Sequence, residues 1–267
     1  MYEKEICNAS EIWEYELMKY FSELFEDHWF PSHNIEHHIR VWKNACFLAP
    51  YFKPECEDFV LDSFFEQLLI ACYFHDLGLL REKGPRHGRE SRLICESFLS
   101  LHVDKIRFET TDMLEAIEHH DDKDYNTLGD TSHSILYQVL TLADDLDAFG
   151  AVGCYRYIEI YLIRRLKPNE IPALILENAE NRYRNFVSKM QGSGFPLPLI
   201  EDKNVLLKKL LSKDSFVSAP KSLVEWIDNS VVQPRIDPFD FFKAVLPSEI
   251  QNERIRCYID QICLELK

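Results

Sequence analysis

Glycine is scarce in this chain, with 8 residues in 267, and no stretch alternates apolar and polar side chains for long. Both absences argue against hairpins and sheets. Positive charge is also in deficit: 30 Lys and Arg face 45 Asp and Glu, for a formal net charge of -15. A phosphate backbone would meet a repulsive average field, so nucleic acid is not an expected partner. Long apolar runs are missing too. The longest, Leu68 to Phe74, falls far short of the roughly 20 residues a membrane-spanning helix needs. The amino terminus opens polar and acidic without a targeting pattern, which leads us to expect a soluble, cytoplasmic protein with no membrane partner. The 8 cysteines, at 7, 46, 56, 72, 95, 154, 257 and 263, include no C-x-x-C pair. Several fall on apolar periodic faces, so they read as buried free thiols of a reducing compartment. There is no internal repeat and no low-complexity tract.

What is present is apolar side chains at three- and four-residue spacing. The chain is 46% hydrophobic and 13% aromatic, enough for one sizeable core or a core with an appended subdomain. The spacing predicts an all-α fold. Ile12, Trp13, Leu17, Tyr20, Phe21, Leu24 and Phe25 mark a first amphipathic helix, and Ile35 to Leu48 a second that Pro50 closes. Leu61, Phe64, Phe65, Leu68, Leu69 and Cys72 mark a third, the most apolar and the expected centre, ending near Gly78 as a C′ glycine. Pro85 fits the first turn of a fourth helix running to about Leu101, and Asp112 with Glu115 resembles a capping box for a fifth ending at His119-His120. Thr131 or Ser132 opens a sixth that runs through Asp147. Two more follow over Val152 to Leu166 and Pro172 to Met190. Gly192-Ser193-Gly194-Phe195-Pro196-Leu197-Pro198 then breaks the pattern. We therefore expect a core over 1–192 and a helical extension over 193–267 packed on it, with cap-like signals at Ser222-Leu223-Val224-Glu225 and Ser248-Glu249-Ile250-Gln251.

The chemistry-bearing residues are histidines and aspartates. A His-Asp dipeptide arises about 0.7 times by chance in a chain with 10 histidines, and this one has two. His75-Asp76 closes the most apolar helix, where two polar side chains can share a deep site. His120-Asp121 leads into the acidic run Asp121-Asp122-Lys123-Asp124 and reads as a solvated loop. Adjacent helical residues diverge by about 100°, so His75 and Asp76 reach one cation only near a helix end, with other helices supplying further ligands. Upstream, His33, His37 and His38 are candidates. Downstream, Asp144 and Asp147 lie beside the apolar face formed by Leu136, Val139, Leu140 and Ala143.

Several strings together resemble the HD-domain metal-dependent phosphohydrolases, in a form similar to one bacterial subgroup. His37-His38-Ile39-Arg40-Val41 is similar to the family's H-x-x-R-V, and Phe74-His75-Asp76-Leu77-Gly78 to its central motif. His87-Gly88-Arg89-Glu90-Ser91 resembles the H-x-x-x-S that follows, and residues 143–153 resemble A-D-x-L-D-A-x-G-A-x-G. The resemblance covers about residues 20 to 190 and implies an HD-domain helical bundle whose metal ligands are His37, His75, Asp76 and Asp144. His33-Asn34-x-x-His37 also resembles the H-N-x-x-H of cyclic-nucleotide phosphodiesterases, which implies proton donation by His33 to a leaving oxygen.

Two imidazoles and two carboxylates suit Mn²⁺, Fe²⁺, Ni²⁺, Co²⁺ or Mg²⁺, with about two octahedral positions left for water and substrate. Such an ion lowers the pKa of water and polarises a P–O bond. We favour one ion; His87 with His119 or His120 could supply a second, as in dinuclear relatives. His87, His120 and Asp147 join His33 as the residues expected to move protons. Arg40, Arg86, Arg89 and Arg156 are the expected phosphate contacts, although Arg40 is also placed to hold a ligating carboxylate and Arg156 and Arg182 suit helix-surface ion pairs. The reading that results is hydrolysis of a phosphate ester of a small molecule, nucleotides included, by an enzyme capable of forming a homodimer. Its rivals are a diiron HD-domain oxygenase and a non-catalytic nucleotide or metabolite sensor.

Overall fold

The computed structural model describes residues 2–26, 28–52, 61–84, 86–121, 134–212, 221–245 and 250–266. Among these the chain is all-α, with no strand, as its apolar spacing and scarcity of glycine require. The helices are α1 (Glu3–Phe25), α2 (Ile35–Leu48), α3 (Leu61–Phe74), α4 (His87–Ser100), α5 (Thr111–His119), α6 (Ile135–Asp147), α7 (Gly150–Ile163), α8 (Ile171–Met190), α9 (Pro198–Leu211), α10 (Lys221–Ile227), α11 (Pro238–Ala244) and α12 (Glu253–Glu265). Pro85, Thr131, Ser132, Cys56, residues 122–124, the side chain of Ser222, and Ser248 with Glu249 lie outside the described residues. No described helix is long and apolar enough to cross a membrane. The seven described cysteines are free thiols.

The chain divides into two compact units, one of Met1–Asp144 with Gly192–Phe195, the other of Asp145–Gln191 with Pro196–Lys267. In the first, α3 is apolar on nearly every side and therefore buried. α1, α2, α4 and α5 all pack against it. Trp13 of α1 is fully buried and donates its indole N–H to Glu66 Oε2 of α3 at 2.8 Å, so a large apolar ring enters the core with its one polar atom satisfied. Tyr20, Phe21, Phe74 and Phe98 interlock beside it at ring separations of 5.0–6.4 Å. Each such burial contributes about 1.5–3 kcal/mol.

Two glycines set how closely the helices approach. Gly78, expected as a left-handed C′ residue, has no positive φ and lies in the 3₁₀ turn Leu77–Leu80. What it needs is room: a Cβ there would lie 1.9 Å from the carbonyl oxygen of His87 and 2.6 Å from the amide nitrogen of Ser91. Its N–H donates to Ser91 Oγ at 2.8 Å, which ties the turn after α3 to the first turns of α4. Gly88 brings α4 against α5, since its Cβ would sit 2.1 Å from the carbonyl oxygen of Glu118. The capping box expected at Asp112 is not formed: α5 starts two residues earlier than such a cap would place it, after Thr110, and Asp112 stands within its first turn.

In the second unit α7 is buried from Gly150 through Ile160. Its N-terminal amides are capped from far along the chain, with Ala151 and Val152 donating to Glu265 Oε1 and Oε2 at 2.8 and 3.1 Å. Gly150 adopts φ +79°, where a side chain would also strike that carboxylate. Two ion pairs here are largely buried rather than superficial. Arg182 reaches Asp145 at 2.7 Å and Arg156 reaches Asp147 at 3.2 Å.

Substitution Gly78→Ala should destabilise the protein by about 3 kcal/mol in denaturant unfolding, because the new Cβ would strike the backbone of α4. Gly192→Ala, at φ +83° with nothing within 4 Å of the new Cβ, should cost only about 1–2 kcal/mol.

Candidate metal centre

The histidines and aspartates singled out in the first unit sit at helix ends. Asn34 caps α2 by accepting the Glu36 N–H at 3.0 Å, which places His37 in the first turn. His75 and Asp76 follow α3, His87 opens α4, His120 follows α5, and Asp144 lies in the last turn of α6. Helix C-termini leave backbone carbonyls without helical partners, and imidazoles take two of them here, while a third ring is held by a carbonyl of the turn before α4. His75 Nδ1 donates to the Cys72 carbonyl at 2.9 Å, His87 Nδ1 to that of Gly84 at 2.9 Å, and His120 Nδ1 to that of Ile117 at 2.8 Å. With the proton fixed on Nδ1, each ring presents the lone pair of Nε2, the arrangement that orients metal-binding histidines.

Those Nε2 atoms converge on Asp76, and its two oxygens face different groups. Oδ2 lies 3.3 Å from both His37 Nε2 and His75 Nε2, which are 3.2 Å apart, while Asp144 Oδ1 stands 3.9 Å from each. Oδ1 lies 3.0 Å from His120 Nε2 and 3.4 Å from His87 Nε2, which are 3.3 Å apart. The donor atoms of His37, His75, Asp76 and Asp144 are all within 4.8 Å of one another, as are those of Asp76, His87 and His120. Neighbouring donors around an octahedral ion with bonds of about 2.1 Å are about 3 Å apart, so both groups have the spacing of a cation shell. Lone pairs aimed at one another across such gaps also need positive charge between them. The donor chemistry thus fits one divalent ion in the first group and offers three donors to another in the second.

Electrostatics point the same way. Burial opposes charge on His75, yet the neighbouring Asp76 and Asp144 carboxylates and the Cys72 carbonyl raise its pKa. His87 is pushed up to about 9, against burial, by its hydrogen bond to Asp76 and by the charges of Asp76 and Asp121. Asp76 is held well below the usual carboxylate range, again against burial, by His75, His120 and His37. The pocket favours positive charge at its centre.

The remaining candidates are spread more widely. His33 is buried, stacks on Phe30 at 4.7 Å, meets Ser32 Oγ through Nδ1 at 2.7 Å and places Nε2 3.7 Å from Asp76 Oδ2. Arg40 is half-buried on α2, one turn from His37. Arg86 is exposed and paired with Glu82 at 3.2 Å, and Arg89 is exposed. Arg156 and Asp147, expected to act separately, form an ion pair in the second unit. Of the two histidines ending α5, His119 is exposed and His120 buried. The reading of His120-Asp121 as a solvated loop is therefore corrected for His120. A signal was present: Met113, Ala116, Ile117 and His120 fall on one helical stripe, as do His87, Ser91, Ile94, Cys95 and Phe98. Ser91, noted only as part of a motif, holds Gly78 in place.

Residues 34–148 match the family model of the HD domain. The match runs from the cap of α2 to the residue after α6, and so takes in both donor groups but not His33. HD domains are a family of metal-dependent phosphohydrolase type. No curated protein and no solved structure matches the chain.

Because Asp76 contributes an oxygen to each group, Asp76→Ala should remove bound divalent metal from both, measured as metal per chain after purification. The helical circular dichroism should be kept.

Proposed function

We propose that this HD domain hydrolyses a phosphate ester of a small molecule, with nucleotides among its substrates, using divalent metal held by His37, His75, Asp76 and Asp144. The observation that carries the reading is the single buried carboxylate of Asp76 shared between two sets of imidazole nitrogens. A bound divalent cation supplies Lewis acidity, which makes a water more acidic and draws charge from phosphoryl oxygens. The remaining work falls to the chain. The carbonyl-anchored rings of His75, His87 and His120 keep their Nε2 atoms aimed without reorganisation. His33 is the proton donor to the leaving oxygen, its Nδ1 held by Ser32 Oγ and its ring by Phe30. Arg40 offers a guanidinium to the phosphate from the helix that carries His37, and Arg86 and Arg89 bring positive charge to the start of α4. Asp147, with its charge compensated by Arg156, is assigned a proton-transfer role secondary to that of His33.

The second group favours two ions over the single one first expected. His87 and His120, read initially as proton carriers, have the spacing and anchoring of ligands, with Asp76 as the bridge. Likewise, we propose that the protein works in the cytoplasm, on a small phosphorylated substrate, as a homodimer.

The test is a panel of phosphomonoesters, phosphodiesters and nucleotides assayed with Mn²⁺, Co²⁺, Ni²⁺, Fe²⁺ or Mg²⁺, alongside metal counting. Hydrolysis should vanish with a chelator and return with metal, and His33→Ala should lower kcat by about 10²–10⁴-fold with metal content unchanged. His87→Ala should lower the count from two ions to one. Two irons with oxygen consumption and no hydrolysis would replace this reading with the oxygenase. Tight binding of a panel member without turnover would replace it with the sensor.

A further inference from the structure

His38 takes no part in the chemistry above, yet it is fully buried next to the centre. Its ring touches Phe21 at 5.0 Å, His37 at 5.0 Å and His75 at 5.2 Å, an environment that a leucine or phenylalanine would fill. Burying an imidazole there has a cost. Nε2 of His38 has no hydrogen-bond partner among the described residues, and a buried polar atom left so costs about 1–3 kcal/mol. The other nitrogen must offset this.

That nitrogen, Nδ1, donates to the carbonyl of Cys72 at 3.1 Å. Cys72 lies in the last turn of α3, where carbonyls run out of helical donors, and its oxygen also accepts Nδ1–H of His75 at 2.9 Å. One carbonyl with two lone pairs thus holds two imidazoles, one from α2 and one from the turn after α3. Next to His38 on α2 is His37, whose Nε2 stands 3.2 Å from that of His75. The bond from His38 to Cys72 fixes the register of α2 against the end of α3 one residue from where the two ligand rings must meet.

We infer that His38 is a positioning residue: its hydrogen bond to the Cys72 carbonyl sets the distance between His37 and His75, and with it the affinity of the first donor group for a divalent cation. This rests on the metal-centre reading given under Proposed function. Removing a hydrogen bond that orients a metal ligand typically weakens metal binding 10–100-fold.

Two variants of the full-length chain separate the bond from the packing. His38→Phe keeps an aromatic ring but has no donor, whereas His38→Asn loses the ring and keeps an N–H near the position of Nδ1. Titration with Mn²⁺ alone should show affinity falling about 10–100-fold in His38→Phe and staying within about threefold of the starting protein in His38→Asn. Metal-free His38→Phe should unfold at no lower denaturant concentration than the starting protein, since it no longer buries an unsatisfied nitrogen. Unchanged affinity in His38→Phe, or equal losses in both variants, overturns the inference. If the starting protein itself binds no Mn²⁺, the metal-centre reading fails. Crystal structures of the metal-free protein and of His38→Phe then decide the role of His38: a widened separation of the His37 and His75 Nε2 atoms in the variant supports it, and an unchanged one overturns it.

Discussion

A buried carboxylate surrounded by imidazoles is the constraint on which this molecule turns. Asp76 is almost wholly enclosed, and an isolated carboxylate in that position would not stay ionised. Its charge is sustained only with positive charge between its two oxygens and the four Nε2 atoms that stand within 3.4 Å of them. To bring four rings that close, the first unit has to end two helices and begin two others around one point. The small residues at 78 and 88, the cap at Asn34 and the aromatic packing around α3 all serve that convergence.

Helix termini are normally where a fold must find partners for stranded backbone groups. Here the need is turned into orientation. The carbonyls of Cys72 and Ile117 would otherwise require water or caps, and each is satisfied by an imidazole N–H that is thereby locked in one tautomer; the carbonyl of Gly84, in the turn before α4, holds His87 in the same way. Stability and site geometry are thus the same hydrogen bonds, so a substitution that frays one of these helix ends disturbs the pocket directly.

Much of this was legible before any coordinates. The helical class followed from apolar spacing, and the positions of α2, α3, α7 and α8 from proline, caps and periodicity. His37, His75, Asp76 and Asp144 could be picked out because short motifs at separated places resembled one family, and these four donors do lie within 4.8 Å of one another. Other features depend on contacts between segments, which local patterns do not encode. Gly78 looked like a helix stop and is instead a point of backbone contact with α4. Arg156 and Arg182 looked like surface cations and are largely buried with aspartates. His120 looked solvated because acidic residues follow it, although its helical phase with Met113 and Ile117 pointed inward. His38 differs from His37 by nothing in its local pattern, since its contact is with a carbonyl 34 residues away.

The cap on α7 has its own consequence for how the polypeptide acquires its shape. Ala151 receives its carboxylate partner from a residue 114 positions further on. The innermost helix of the second unit is therefore completed by a very non-local contact, whereas the ring anchors at 75, 87 and 120 are made three residues away. Loop closure over such a span is slow compared with forming a helical turn. During synthesis the histidine-bearing half can mature while the other half still waits for its final turn of helix.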